Sequence, residues 1–454
     1  MENRSAFLPS DFLLKMKNFP EIDYTAFLDS YEKPPFRGIL RNPLKCGEEQ
    51  LRAVFGTLLP APFGRDSYYL PHDFGGVGKL PLHHAGALYA QEPSAACAAT
   101  VLAPRPGERI LDLCAAPGGK SAQIAGLLMG QGLLWSNEMM RDRAQALLSN
   151  LERLGVRNAV VSSCHPEVLC RSLAGFFDRV LVDAPCSGEG MFRRDQKAAA
   201  EWTAAHAAAC AGRQLAILNS AKQAVRPGGV LVYSTCTFSP EENEGVADRF
   251  LSGNPDFEAE DCGVTFGRAA IPALGGGRES LKEAGRRVFP MDGGEGHFVV
   301  RFRKKGEARD GAPAARKVRA NPELLSFYRR LFLDEPWGSI EEAGGKIALV
   351  PPAAPDLAGK GVLRAGVWLG ERAKGRIEPC HGAFMAAAPG AVRSCLRLSS
   401  QEEQTMAFLR GEEIPCEQEP GYAGVAVDGV MLGFGKVSGG RLKNRYPKGL
   451  RNLK

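Results

Sequence analysis

Between about residue 91 and residue 302 the chain alternates short apolar runs with amphipathic stretches. The runs are Ile110–Leu113, Leu133–Ser136, Ala159–Val161, Val180–Val182, Val230–Tyr233 and Phe298–Phe302. They are short and lack an in–out alternation, as strands buried on both faces require. Between them Ala144, Leu147, Leu148 and Leu151 recur at helical spacing within Arg141–Leu154, and a long helical pattern covers Trp202–Val225. Strands alternating with helices of this length predict βαβ units with right-handed crossovers, hence an α/β fold on a mostly parallel twisted sheet. Such a sheet takes ligands beyond the carboxyl ends of its strands.

The flanks read differently. Residues 1–90 mix short helical and turn signals, beginning with a helix at Asp11–Met16 that Phe7 and Leu8 can staple. Dense Gly and Pro after Pro60 predict loops packed on a neighbour, an extension of the core that begins at 91. After the core ends at 304, the charged, Gly/Pro/Ala-rich stretch around Gly311-Ala312-Pro313 reads as a linker. A helix over Asn321–Leu333 and short strands within Lys346–Leu369 predict a small intermediate domain through 375. From 376 to 454 short β signals with Gly turns, such as Val425–Gly433, predict a compact β module.

Composition narrows the class. The 454 residues, 44% hydrophobic and 24% charged, suit two or three globular domains. No apolar run approaches the length of a bilayer span. Met1-Glu2-Asn3-Arg4-Ser5 lacks the basic-then-apolar order of a secretory leader, so a cytoplasmic location is expected. The 12 cysteines are scattered without a CxxC pair, which predicts reduced thiols and no structural zinc site. His83 and His84 are adjacent and do not share a helix face, so no metal pair is expected there. The net charge of +6 tilts modestly toward a polyanionic partner. Its distribution says more: Lys436–Lys454 carries seven Lys or Arg and no acid, interleaved with Tyr446 and Leu450, which favours nucleic acid over a merely solvated face.

Candidate chemistry collects at strand ends. The first run leads through Asp112, Cys114, Ala115, Ala116, Pro117, Gly118 and Gly119 to Lys120, where a helical pattern restarts. A strand–Gly–Gly–helix turn offers free backbone N–H groups and a helix end to a ligand; by itself it also fits tight βα packing. The second run ends in Glu138, placed to accept from a ribose diol or to serve as a helix N-terminal acid. The fourth and fifth runs are followed by Asp183-Ala184-Pro185-Cys186 and Ser234-Thr235-Cys236-Thr237. Both thiols therefore fall in loops at the same carboxyl edge, where a thiolate can be reached. Carbon 5 of cytosine is a poor nucleophile until something adds at carbon 6. A cysteine thiolate does this when a carboxyl group such as that of Asp183 donates to ring nitrogen 3 as charge develops there.

At these residues the sequence resembles the Sun-type (NOL/NOP/Sun) RNA cytosine-5 methyltransferases, and within them the bacterial RsmF-type ribosomal RNA enzymes. The motifs are Gln91–Ala95, Leu111–Lys120, Asp183–Gly190 with Met191-Phe192-Arg193, Ser234–Thr237 with Pro240–Asn243, and Glu295-Gly296-His297-Phe298. Arg41-Asn42-Pro43-Leu44-Lys45 resembles the family's N-terminal motif, with Pro43 where Thr is usual, and Gly433–Arg451 resembles its PUA-like tail. The resemblance implies a Rossmann-like class I methyltransferase core that binds S-adenosylmethionine, flanked by RNA-binding N-terminal and PUA-like domains. It implies Cys236 as the nucleophile on carbon 6, Cys186 as the residue assisting release, and Asp183 as a hydrogen-bond partner of the base, with Lys120 also facing it. Cys114–Lys120 would hold the methionine part of the cofactor and Glu138 the ribose. Where the family carries an acidic group beside the adenine, Ser162-Ser163-Cys164-His165 stands instead, so Ser163 or backbone groups would take that contact. The implied substrate is small-subunit (16S) rRNA, with tRNA as the alternative and a non-catalytic RNA-binding assembly factor as a reading of another class. A monomer is expected.

Overall fold

The structure, a computed structural model, describes residues 7–307 and 321–451; Gly311-Ala312-Pro313 and the two chain ends lie outside the described residues. Five strands run parallel at its centre: β1 (Arg109–Asp112), β2 (Leu133–Asn137), β3 (Ala159–Ser162), β4 (Phe177–Asp183) and β5 (Val225–Thr235), in the order β5-β4-β1-β2-β3. Ile110, Leu111, Leu134, Trp135, Val160, Val180, Leu181, Leu231 and Val232 are fully buried between the covering helices, which is why these runs carry no polar alternation. Chain order reverses between β1 and β4, so the switch point lies at the carboxyl end of β1.

Antiparallel strands extend the sheet at both sides. Beyond β5 come β6 (Phe257–Ala259), β7 (Arg268–Ala269), β8 (Gly285–Val288) and β9 (His297–Lys304), with β9 paired to β5 from Phe298↔Thr235 to Arg303↔Val230. On the opposite edge β10 (Val362–Ala365) pairs antiparallel with β3. The intermediate C-terminal domain thus contributes a strand to the core sheet, a contact between segments nearly two hundred positions apart that no local pattern announces.

The rest of that domain is a four-stranded antiparallel sheet, Ser339–Ala343, Lys346–Val350, Val367–Ala373 and Arg376–Pro379, under the helix Pro322–Leu331. The expected boundary at 375/376 falls inside it. Lys374 (φ 48°) and Gly375 (φ 78°) form the two-residue turn of a hairpin, not a break between domains. The last domain is a five-stranded sheet built on Gly421–Val427 and Val430–Ser438. The N-terminal extension, with its own three-stranded sheet, packs on two partners. Leu40 joins the core of the central domain, while Ile39, Leu51, Leu82 and Leu88 share one apolar cluster with Phe408, Val425, Leu432 and Leu442 of the last domain.

Candidate active site

The carboxyl ends of β1, β2, β4 and β5 open into a cleft of about 860 Å³. A cleft of this size takes a ligand as large as a nucleoside derivative. Its lining includes Cys114, Ala116, Glu138, Asp183, Cys186 and Cys236, residues that come from four different strand ends.

At the end of β1, Asp112 is completely buried. Its Oδ2 accepts from Ser121 Oγ at 2.7 Å, and Ser121 in turn meets Ser136 Oγ at 2.7 Å. Its Oδ1 has no partner. Burial raises the carboxyl to about 7, with the Ser121 hydrogen bond working the other way. The turn that follows is pinned from behind: Ala115 N–H donates to Asn137 O (2.8 Å), Arg143 to Ala116 O (3.1 Å) and Asn150 to Pro117 O (2.9 Å). Gly118 takes φ 114°, and a Cβ on Gly119 would come within 2.3 Å of Gln91 Oε1. The left-handed φ at Gly118 favours glycine, while a side chain at 119 would require Gln91 to move. Glu138 is 5% exposed; its carboxylate accepts from Met140 N–H (2.9 Å) and pairs with Arg143 (3.3 Å).

Lys120, the second residue of the helix Gly119–Leu128, reaches across to Asp183 Oδ2 at 2.7 Å. Burial opposes the ammonium charge, but the Asp183 carboxylate beside it overcomes that and holds the lysine above its ordinary value. The other oxygen of Asp183 accepts from Ser234 Oγ at 2.7 Å. Between these groups, Cys186 Sγ lies 3.3 Å from Cys236 Sγ. The hydrogen bond to Cys236, reinforced by burial, pushes the Cys186 thiol well up.

Two buried carboxylates fix the cysteine loops. Glu242 accepts from Ser187 N–H (2.9 Å), from Ser187 Oγ and from Gln214 Nε2 (2.8 Å), tying the Cys186 loop to the segment after Cys236. Gly190 N–H donates to Cys236 O at 2.9 Å. Behind them Arg287 pairs with Glu244 through Nε at 2.8 Å and donates to Phe238 O at 3.0 Å.

Four domain-long and two chain-long likenesses accompany this geometry. Residues 99–303 match the family described as 16S rRNA methyltransferase RsmB/F. Residues 8–93 match the N-terminal domain of 16S rRNA methyltransferase RsmF, 326–386 the RsmF rRNA methyltransferase first C-terminal domain, and 395–452 the methyltransferase RsmF PUA domain. Over the full length, the chain is 31% identical to ribosomal RNA small subunit methyltransferase F of Vibrio campbellii, covering 98% of each. It is 32% identical to the protein of that name from Klebsiella pneumoniae, covering 99% of this chain and 98% of that one.

The chain belongs to the RsmF family of rRNA methyltransferases.

Among solved structures it is similar to a methyltransferase homologue from Pyrococcus horikoshii (28% identity, TM-score 0.56, 66% of this chain and 99% of that one). It also shares its fold with NSun6 from the same organism, solved with SFG (22% identity, TM-score 0.57, 66% and 99%). RsmF-family proteins use S-adenosylmethionine, and the cleft fits it chemically. Glu138 lines the cleft with a carboxylate to which a diol can donate, and Asp112, directly before the lining residues Leu113 and Cys114, keeps an orphaned Oδ1.

Of the residues expected from sequence, Cys114, Ala116, Glu138, Asp183, Cys186 and Cys236 meet around the one cleft. Ala115, Pro117, Gly118 and Gly119 form the turn itself, and Lys120 enters through Asp183. Ser163 stands apart: its hydroxyl donates to Met139 O at 3.2 Å, its N–H to Gly361 O, and the cleft wall there is His165, Pro166 and Glu167. The sequence pattern missed the opposite wall, Arg213, Ile217, Asn219 and Ser220, which the long helix Ala204–Ala224 supplies. Arg213 and Asn219 interrupt that helix's Ala- and Leu-rich run and were its only signal.

Proposed function

We propose that the protein transfers a methyl group from S-adenosylmethionine to carbon 5 of a cytosine in small-subunit rRNA, through a covalent adduct at Cys236. The observation that carries this is the pair of sulfurs 3.3 Å apart in one cleft with the Lys120–Asp183 ion pair. A methyltransferase acting on an oxygen or an exocyclic nitrogen has no need of a second thiol beside the first.

Cys236 adds to carbon 6 of the extruded base, forming the S–C bond as the ring's 5,6 electron pair moves toward carbon 5. The Cys186 thiol lies against the Cys236 sulfur throughout, at 3.3 Å. The negative charge that develops at nitrogen 3 and oxygen 2 falls beside Asp183 and Lys120, whose shared protons offset it in a site largely closed to water. The Asp112–Lys120 turn and Glu138 would hold S-adenosylmethionine, which would supply the methyl group as an electrophile, its sulfur–methyl bond breaking as the bond to carbon 5 forms and S-adenosylhomocysteine leaving. The proton on carbon 5 then passes to solvent water, its electron pair restores the 5,6 double bond, and Cys236 is expelled as a thiolate. Cys186, within contact of the departing sulfur, is placed to assist that expulsion. The N-terminal extension and the basic tail of the PUA-like domain hold the RNA.

Incubating the protein with labelled cofactor and unmodified small-subunit rRNA, followed by bisulfite sequencing, tests this directly. Label found only outside cytosine would remove it.

A further inference from the structure

On the edge of the sheet opposite the cleft, two cavities of about 280 and 240 Å³ meet at Gly130 and Arg157. Gly130, Gly132, Arg157 and Asn158 immediately precede β2 and β3, so this groove lies at the amino ends of the parallel strands. Its other walls come from the intermediate domain (Trp337, Pro351), the last domain (Gly429–Met431) and the N-terminal extension (Lys45). Neither cavity is lined by an Asp or Glu. It holds two cations. Lys45 is half-buried, and its ammonium spends two donors on backbone carbonyls, Met431 O at 3.1 Å and Arg153 O at 3.5 Å, leaving one for a ligand. Arg157 is exposed and makes no hydrogen bond or ion pair among the described residues; its guanidinium lies 6.0 Å from the half-buried Trp337 ring. The nearest acid beyond Trp337, Asp334, is engaged by the Tyr328 hydroxyl at 3.2 Å.

A protein surface seldom leaves an unpaired arginine and a half-buried ammonium beside a half-exposed indole with the one acid at their edge, Asp334, already engaged by a tyrosine hydroxyl. Water can solvate the exposed guanidinium, but it does little for Lys45, whose burial and repulsion from Arg153 lower its affinity for a proton. An anion in the groove satisfies both. Side-chain-free glycine walls admit a backbone-width ligand, and an aromatic face beside a cation is the arrangement on which a nucleobase stacks next to its phosphate.

We infer that this groove is a second RNA-binding site, in which Lys45 and Arg157 hold a phosphodiester and Trp337 stacks an adjoining unpaired base. It rests on RNA being the substrate and extends the RNA path from the catalytic edge to the far edge of the sheet. The groove also explains why the three domains converge on it: bound strand would bridge all of them, so recognition would sense the assembled protein and not the core alone.

The test uses the full chain and an oligouridine RNA of about 20 nucleotides, which contains no cytosine and so reads binding without chemistry. Fluorescence anisotropy across a salt series is measured for the wild type, Arg157→Ala and Trp337→Ala, both partly exposed positions, with melting curves as a fold control. Each substitution is expected to weaken binding by about five- to tenfold. Arg157→Ala should also make the slope of log affinity against log salt shallower by about one. Wild-type affinity and slope in both variants would overturn the inference. So would unchanged RNA affinity with lost binding to purified small subunits, because the groove would then be reading protein. A failure of cytosine methylation appears separately, as absent label in wild-type rRNA, and leaves this binding measurement intact.

Discussion

Cys186 and Cys236 bring their sulfurs to 3.3 Å although fifty residues separate them, because β4 and β5 are adjacent parallel strands that end side by side. If the two thiols divide the work of attack and release, removing each has a different result. Cys236→Ala should lower methyl transfer by at least about a thousandfold and form no adduct. Cys186→Ala should accumulate a covalent protein–RNA species, visible as a slow band on a denaturing gel. A Cys186→Ala protein that turns over normally without that band would reverse the assignment.

Much of this site could be read in advance because its residues sit at the ends of strands buried on both faces. Val180–Val182 and Val230–Tyr233 stand out as unbroken apolar runs, and the chemistry follows directly after them. The true strands are longer than the runs. Asp178 and Arg179 look like loop residues, yet they lie within β4, paired with Arg109 (3.2 Å) and Glu108 (2.7 Å) at its buried start. Val362–Ala365 was legible as a strand but not as β10 of the core, because its partner β3 is fixed by tertiary packing. Likewise nothing local to Ile39 or Leu51 says that their apolar partners include Val425 and Leu432.

The buried carboxyl of Asp112 sets a pH dependence with a definite sign. Burial lifts it from 3.8 to about 7, so the native state keeps a proton that the unfolded chain releases near pH 3.8. The unliganded protein's stability should therefore fall as pH rises from about 4 to about 7 and level off above that. Asp112→Asn should flatten this component in urea titrations at a series of pH values. A cationic amino group of the cofactor favours the ionised form, so cofactor affinity in the wild type should weaken below about pH 7, by at most about tenfold per unit. Calorimetric titration gives that slope, and Asp112→Asn should abolish it along with most of the affinity.

Arg287 and Glu244 form an ion pair with side chains 2% and 0% exposed, behind the segment that follows Cys236. Arg287→Met leaves a buried carboxylate unpaired and should cost about 3–5 kcal/mol, seen as a melting temperature lower by roughly 10 °C. The double variant Glu244→Gln/Arg287→Met should recover most of that loss, since replacing both partners removes the uncompensated charge. Single and double variants melting alike would mean that the pair contributes packing only.

Glu242 offers a way to separate loop positioning from loop chemistry. It touches neither sulfur, yet its Oε2 accepts from both Ser187 N–H and Gln214 Nε2 and its Oε1 from the Ser187 hydroxyl, holding the Cys186 loop against the strand end that carries Cys236. In Glu242→Gln the Ser187 hydroxyl must turn to accept from the new amide N–H, and the bonds kept at the amide oxygen lose their charge assistance, so the ties weaken while the volume is kept. The Cys186 loop then gains freedom of the order of an ångström, a displacement that can cost about a hundredfold in rate. Single-turnover methylation by Glu242→Gln should accordingly slow by roughly 10- to 100-fold, with cofactor affinity unchanged because the Asp112–Lys120 turn lies on different strands. A loss of cofactor binding equal to the loss of rate would instead mark Glu242 as part of the cofactor's support.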